Sequence, residues 1–203
     1  MAYFEKSLAA IKTFDSSMKA AHETHAAAKK QIMANYNGNL MSQKLGEINT
    51  ALQNAEVEQK SILKETFAAD FAQAKAQINA TATADAPDNF ISTLEAIKAL
   101  GSSVTEYEIK AYLDKYRSNY IAARAIAEVI GKAGNGKFII IRPDQIAEEV
   151  DKIHNQLINW VQGWNPTSYM SRVMVTDNNV LTILENSVQE WLDGGFVRTM
   201  FAN

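Results

Sequence analysis

Apolar residues fall at spacings of three and four along most of this chain, which is the signature of amphipathic helices. Phe4, Leu8, Ile11, Phe14, Met18, Ala21, His25, Ala28 and Ile32 share one helical face. That pattern predicts a helix ending near Tyr36-Asn37-Gly38-Asn39, where asparagine and glycine suit the left-handed backbone of a C-terminal cap. A second helix is expected from about Leu40, or later if Gly46 weakens its start, since glycine costs ~1 kcal/mol inside a helix. Met41, Leu45, Ile48, Leu52 and Ala55 step by four and three as in a coiled-coil seam. Gln59 interrupts the seam and Ile62 restores its phase. Leu63, Phe67, Phe71, Ala74 and Ile78 then continue on a shifted face. The short connection makes the two helices an antiparallel hairpin.

The pattern changes after residue 78. Residues 79–89 are small, polar and proline-terminated, and read as a linker or the frayed end of the second helix. A third helix, with Phe90, Ile91, Leu94, Ile97 and Leu100 on one face, should stop at Gly101. Thr105 followed by Glu108 forms a capping-box pattern, which predicts a helix running to about Ile130. Pro143 suits the first turn of another helix, ending at Gly163. A further helix, capped by Asp177 or Asn178, should end at Gly194-Gly195. Three short runs, 138–141, 172–175 and 196–201, are strand candidates for a small antiparallel sheet. The expected fold is mainly α: a long coiled-coil-like hairpin over residues 1–86, then a smaller helical region over 87–203 with a short three-stranded sheet.

Composition supports that division. Residues 1–86 hold 20 of the 30 alanines, two glycines and no proline; all three prolines and all three tryptophans come later. An alanine seam lets helix axes approach closely but buries little area per residue. Such a hairpin is expected to dock on the rest of the chain, on a second copy or on a partner. Phe67 and Phe71 lie in the shifted segment of the second helix. They are the expected interaction surface if no other helix covers them.

Charge and candidate chemistry narrow the function classes. Charge is balanced in both halves and the net value is -3, which disfavours nucleic acid as a partner. There is no cysteine, so disulfides and thiolate metal sites are excluded. No apolar run is long enough to span a bilayer, and the N-terminus does not read as a signal peptide. A cytoplasmic protein, or one incorporated in a particle, is expected. Gly131-Lys132-Ala133-Gly134-Asn135-Gly136-Lys137 matches the spacing of a phosphate-binding loop. However, Phe138 stands where the magnesium-binding hydroxyl belongs, and a helix precedes the loop where a strand should. A helix cap and turn explain its glycines equally well. His22 and His25 are spaced to chelate a metal, but lack both the i, i+4 spacing of a zinc helix and a third ligand nearby.

The remaining clusters read as core. Tyr112, Tyr116 and Tyr120 lie beside basic residues that could flank stacked bases. They also share a face with Ile109, Leu113 and Ile130. Trp160 and Trp164 could present an aromatic contact surface, with Trp160 expected in the core. No nucleophile elbow or Ser-His-Asp set is present. No catalytic, cofactor-binding or metal residue is assigned, and no cofactor is expected.

A non-enzymatic structural protein is the expected function, acting as a subunit of a larger assembly through self-association or protein partners at its N-terminal helices. In general character the chain is similar to the small structural or accessory proteins of phages and prophages, a virion-associated role, with no motif that carries a family. The alternatives are a small-molecule-binding protein or enzyme with a site around the glycine loop and tryptophans, and a nucleic-acid accessory protein.

Overall fold

The computed structural model describes residues 3–134, 137–165 and 179–200. Among them are seven α-helices: α1 (Glu5–Asn35), α2 (Gly38–Ala82), α3 (Phe90–Leu100), α4 (Glu106–Lys115), α5 (Tyr120–Lys132), α6 (Pro143–Gln162) and α7 (Asn179–Leu192). Two strands, β1 (Lys137–Ile140) and β2 (Val197–Met200), pair antiparallel with Phe138 opposite Thr199 and Ile140 opposite Val197. The candidate strand at 172–175 and the candidate caps Asp177 and Asn178 lie outside the described residues. The chain forms two compact units, one of residues Met1–Ala72 with Lys152–Thr182 and the other of Gln73–Asp151 with Ile183–Asn203. Thus α2, α6 and α7 each contribute to both. The change of composition at residue 86 falls within the second unit.

In the first unit α1 and α2 pack as the expected antiparallel hairpin. The turn needs only Tyr36 and Asn37, because Gly38 enters α2 at φ 55°, a conformation that favours glycine. α2 therefore begins earlier than expected and passes straight through Gly46. Cross-hairpin pairs fix the register: as the chain ascends from Phe4 through Ser7, His22 and His25 of α1, α2 descends through Phe71, Asp70, Glu56 and Asn49. At the base of the hairpin the C-terminal half of α6 completes an aromatic core. Phe4 and Phe71 lie 4.7 Å apart, and Phe14 meets Trp160 and Trp164 edge-on at 5.8 and 5.6 Å. Leu63, Phe67, Leu157 and Val161 are fully buried there.

In the second unit, the helix expected over 105–130 is two helices. Thr105 and Glu108 form the predicted capping box at the start of α4, but α4 ends at Lys115. Asn119 then caps α5, its Oδ1 accepting from the Ala122 amide at 2.9 Å and its Nδ2 donating to the Asp85 carbonyl at 2.7 Å. A short amide side chain that can satisfy backbone groups locally competes with helix continuation, and here the 83–89 loop holds it in place. Phe90, Ile97, Ile109, Tyr116, Ile126 and Ile130 form the core. Tyr120, Trp191 and Phe196 pack as a ring cluster with centroids 5.4–5.7 Å apart. The Trp191 indole donates to the Ile141 carbonyl at 2.9 Å, joining α7 to the end of β1.

Candidate functional site

The hairpin changes character along its length. From Tyr3 to Met18, and again from Leu63 to Ile78, large apolar side chains are buried at almost every inward position. Between residues 19 and 62 the only buried side chain is Ile32. The predicted seam of Met41, Leu45, Ile48, Leu52 and Ala55 does face inward, but each of these residues is only half-buried. Opposite them stand Ala21, His25 and Ala28, also half-buried. Small and polar side chains on α1 bring the helices together without closing the seam to water.

Polar contacts supply part of what the seam lacks. His25 Nε2 lies 2.8 Å from Asn49 Oδ1 across the hairpin. His22 Nε2 approaches Glu56 Oε1 to 3.0 Å, at an angle too bent for a hydrogen bond, while its ring lies 5.7 Å from that of Trp164. Farther out, Lys44 Nζ is 2.9 Å from Glu47. This hydrogen bond and charge raise the lysine above its ordinary range and hold Glu47 below its own. The Lys44–Glu47 pair lies within α2 and is exposed, of the kind that contributes little net stability.

At the tip every residue from Met33 to Leu40 is exposed. Three of them are large and apolar: Met33 at 59%, Tyr36 at 41% and Leu40 at 49%. Lys29 and Lys30 are exposed beside them and make no ion pair among the described residues. Val57 and Ile62 are exposed on α2. Ile62 therefore does not restore the seam; the inward position passes to Leu63 as the face turns toward α6.

Phe67 and Phe71, the residues expected to form an interaction surface, are core. Phe67 is fully buried and Phe71 is 2% exposed. Phe71 packs between Phe4 and the His154 ring, which stacks on it at 4.8 Å and 24°. The cover comes from α6 and from the residues before α1. The exposed apolar side chains of the arm lie instead at Met33, Tyr36, Leu40, Val57 and Ile62. Met33, Tyr36, Leu40 and Val57 lie off the apolar spacing of their helices and Ile62, though in phase with the seam, is exposed, so no spacing marked any of them.

The other candidates take ordinary places. Among the described residues no group of three or more His, Asp or Glu could hold a metal ion. The glycine loop follows the C-terminus of α5 and leads into β1; Asn135 and Gly136 lie outside the described residues. Phe138, in the position of the missing hydroxyl, packs on the core of the second unit. Tyr116 and Tyr120 are buried, as the shared apolar face predicted, and Tyr112 is half-buried. Trp160 and Trp164 are both buried. The second unit does carry an open depression of about 270 Å3 beside Trp191. Ile139, Ile140, Ile141 and Ile146 form its apolar part, with Glu149 and an ion pair between Arg198 and Glu190 (2.8 Å) among its polar residues. No described helix is long and apolar enough to cross a membrane.

Comparison with protein-family models, with curated proteins and with solved structures finds no match to this chain.

Proposed function

We propose that this chain is a non-enzymatic interaction protein, a subunit of a larger assembly, and that the outer part of its hairpin is the element that binds. One observation carries the reading: residues 19–62 form two continuous helices that bury a single side chain. Helices gain most of their stability from tertiary packing of an apolar face. A half-open seam, with large apolar residues exposed beside it and at its tip, is what a helical arm looks like before a further helix or surface closes it. A general likeness to small phage structural proteins makes a particle the first assembly in which to look for this subunit.

Hydrogen exchange on the dilute, purified full chain tests the proposal. Amides in 19–62 should exchange by local opening well before those in 5–18 and 63–78. Protection in the arm should then rise when the chain is incorporated into its native assembly. An arm that is as protected as the base in the dilute chain, and gains nothing in the assembly, would overturn the reading.

A further inference from the structure

We infer that the tip of the hairpin docks into the depression beside Trp191 of a second copy of this chain. The inference rests on the arm being the binding element and names what it binds. The two surfaces are complementary in kind and in charge. The tip offers Met33 at the end of α1, Tyr36 in the connection and Leu40 in the first turn of α2, all well exposed. The depression has an apolar part of Ile139, Ile140, Ile141, Ile146 and Trp191, with Ile139 itself 49% exposed. A volume of about 270 Å3 has room for one large side chain or little more, so a single tip residue could enter while its neighbours cover the rim.

The charges favour the same match. Lys29 and Lys30 stand beside the tip and form no ion pair among the described residues, and Glu149 lines the depression with Glu148 next to it on α6. Among the described residues neither glutamate forms an ion pair. Complementary potentials of this kind steer encounter and fix orientation more than they add affinity. Because the two surfaces differ, the contact made once per pair is heterologous and gives a ring or a chain, and made twice about a two-fold axis it gives a reciprocal, isologous dimer. Three apolar side chains on a rounded tip make a small interface, in the weak class below about 1,200 Å2. Self-association is therefore expected at high local concentration.

Sedimentation of the full chain from micromolar to about 1 mM, a range that brackets weak contacts, tests the inference. The wild type should show a mass rising above 22.5 kDa. Leu40→Glu should weaken association roughly thirtyfold, the loss expected of an apolar anchor. Lys29→Glu with Lys30→Glu, and separately Glu148→Lys with Glu149→Lys, should each suppress self-association. Mixing these two charge-reversed proteins should restore it. All these positions are exposed, and circular dichroism should confirm unchanged helix content. A wild type that stays monomeric throughout overturns the inference, as does association indifferent to the tip variants or to reversal of the two glutamates. In each of those cases the arm as a binding element still stands or falls on its hydrogen exchange.

Discussion

The carboxylate of Asp70 on α2 caps the N-terminus of α1. One of its oxygens accepts from both the backbone amide and the hydroxyl of Ser7, each at 2.8 Å. Ser7 lies in the first turn of α1, where amides have no partner within the helix. The residue before the helix, Phe4, provides no capping side chain. The acceptor comes from 63 positions away, and both residues are buried. A carboxylate is a fitting acceptor there, because the positive end of the helix dipole faces it.

Replacing that acceptor should therefore destabilise the base of the hairpin. Asp70→Ala leaves a buried amide and hydroxyl unsatisfied, and is expected to cost about 2–3 kcal/mol. Asp70→Asn keeps an acceptor and should cost less. The midpoint of urea unfolding followed by far-ultraviolet circular dichroism measures both. Equal midpoints for wild type and Asp70→Ala would show that the contact contributes nothing.

Phe67 and Phe71 make a second test. Because both are core, Phe71→Ala should cost about 3–5 kcal/mol, read as a lowered unfolding midpoint. The double change Phe67→Glu with Phe71→Glu should unfold the first unit instead of yielding a folded monomer. Fluorescence of Trp160 and Trp164, which pack on Phe14 in the same core, reports the loss. A folded double variant would place the pair on a surface.

Much of the hairpin was legible because its signals are local. The seam from Met41 to Ala55 and the turn at Asn37-Gly38, like the stop of α3 at Gly101 beyond the hairpin, each depend on spacing or on one residue's backbone preference. The capping box at Thr105 and Glu108 is of the same kind. The fate of Phe67 and Phe71 was not local. Their shifted face announced that something other than α1 must cover them, but nothing in α2 says that Phe71 is covered by Phe4 and His154. The candidate tip was hidden for a related reason: an exposed Met33 or Leu40 breaks no pattern.

The capping box gives a pH prediction. Glu108 accepts from the Thr105 amide at 2.9 Å and from its hydroxyl at 2.8 Å. These bonds, the backbone one first, lower its pKa below the ordinary value of 4.5. A carboxylate with a depressed folded value adds stability at pH above its unfolded value, and that contribution is lost as pH falls through the folded one. Carbon-detected NMR titration should find Glu108 below the ordinary glutamate value of 4.5. In Thr105→Val it should move back up toward 4.5, and the helix should lose about 1 kcal/mol of N-cap stabilisation.

Two glycines should respond in opposite directions to the same change. Gly46 lies inside α2 with open space around it, so Gly46→Ala is expected to stabilise by about 0.5–1 kcal/mol. Gly194 has φ 95°, and a Cβ there would overlap the Arg117 carbonyl oxygen. That carbonyl belongs to the loop between α4 and α5, whose arginine also donates to Asp193 O at 3.1 Å. Gly194→Ala should destabilise by about 2 kcal/mol or more, through both steric overlap and a backbone conformation that side chains avoid. Thermal unfolding of the two variants beside wild type decides the signs.

Sequence alone determined which stretches of this chain are helical, where most of them begin and end, and which face of each is apolar. Those properties follow from interactions within a few residues: periodic burial, capping side chains, and the backbone freedom of glycine and restriction of proline. Tertiary structure decided what the apolar faces meet. It placed α6 against the base of the hairpin and left the outer arm with a half-open seam. It supplied Asp70 to the start of α1, divided the 105–130 segment at Asn119 by tying that side chain to Asp85, and paired β1 with β2 across the 56 positions between them. Each of these depends on groups far apart in sequence, whose meeting costs chain entropy and is favoured only when the rest of the fold brings them together.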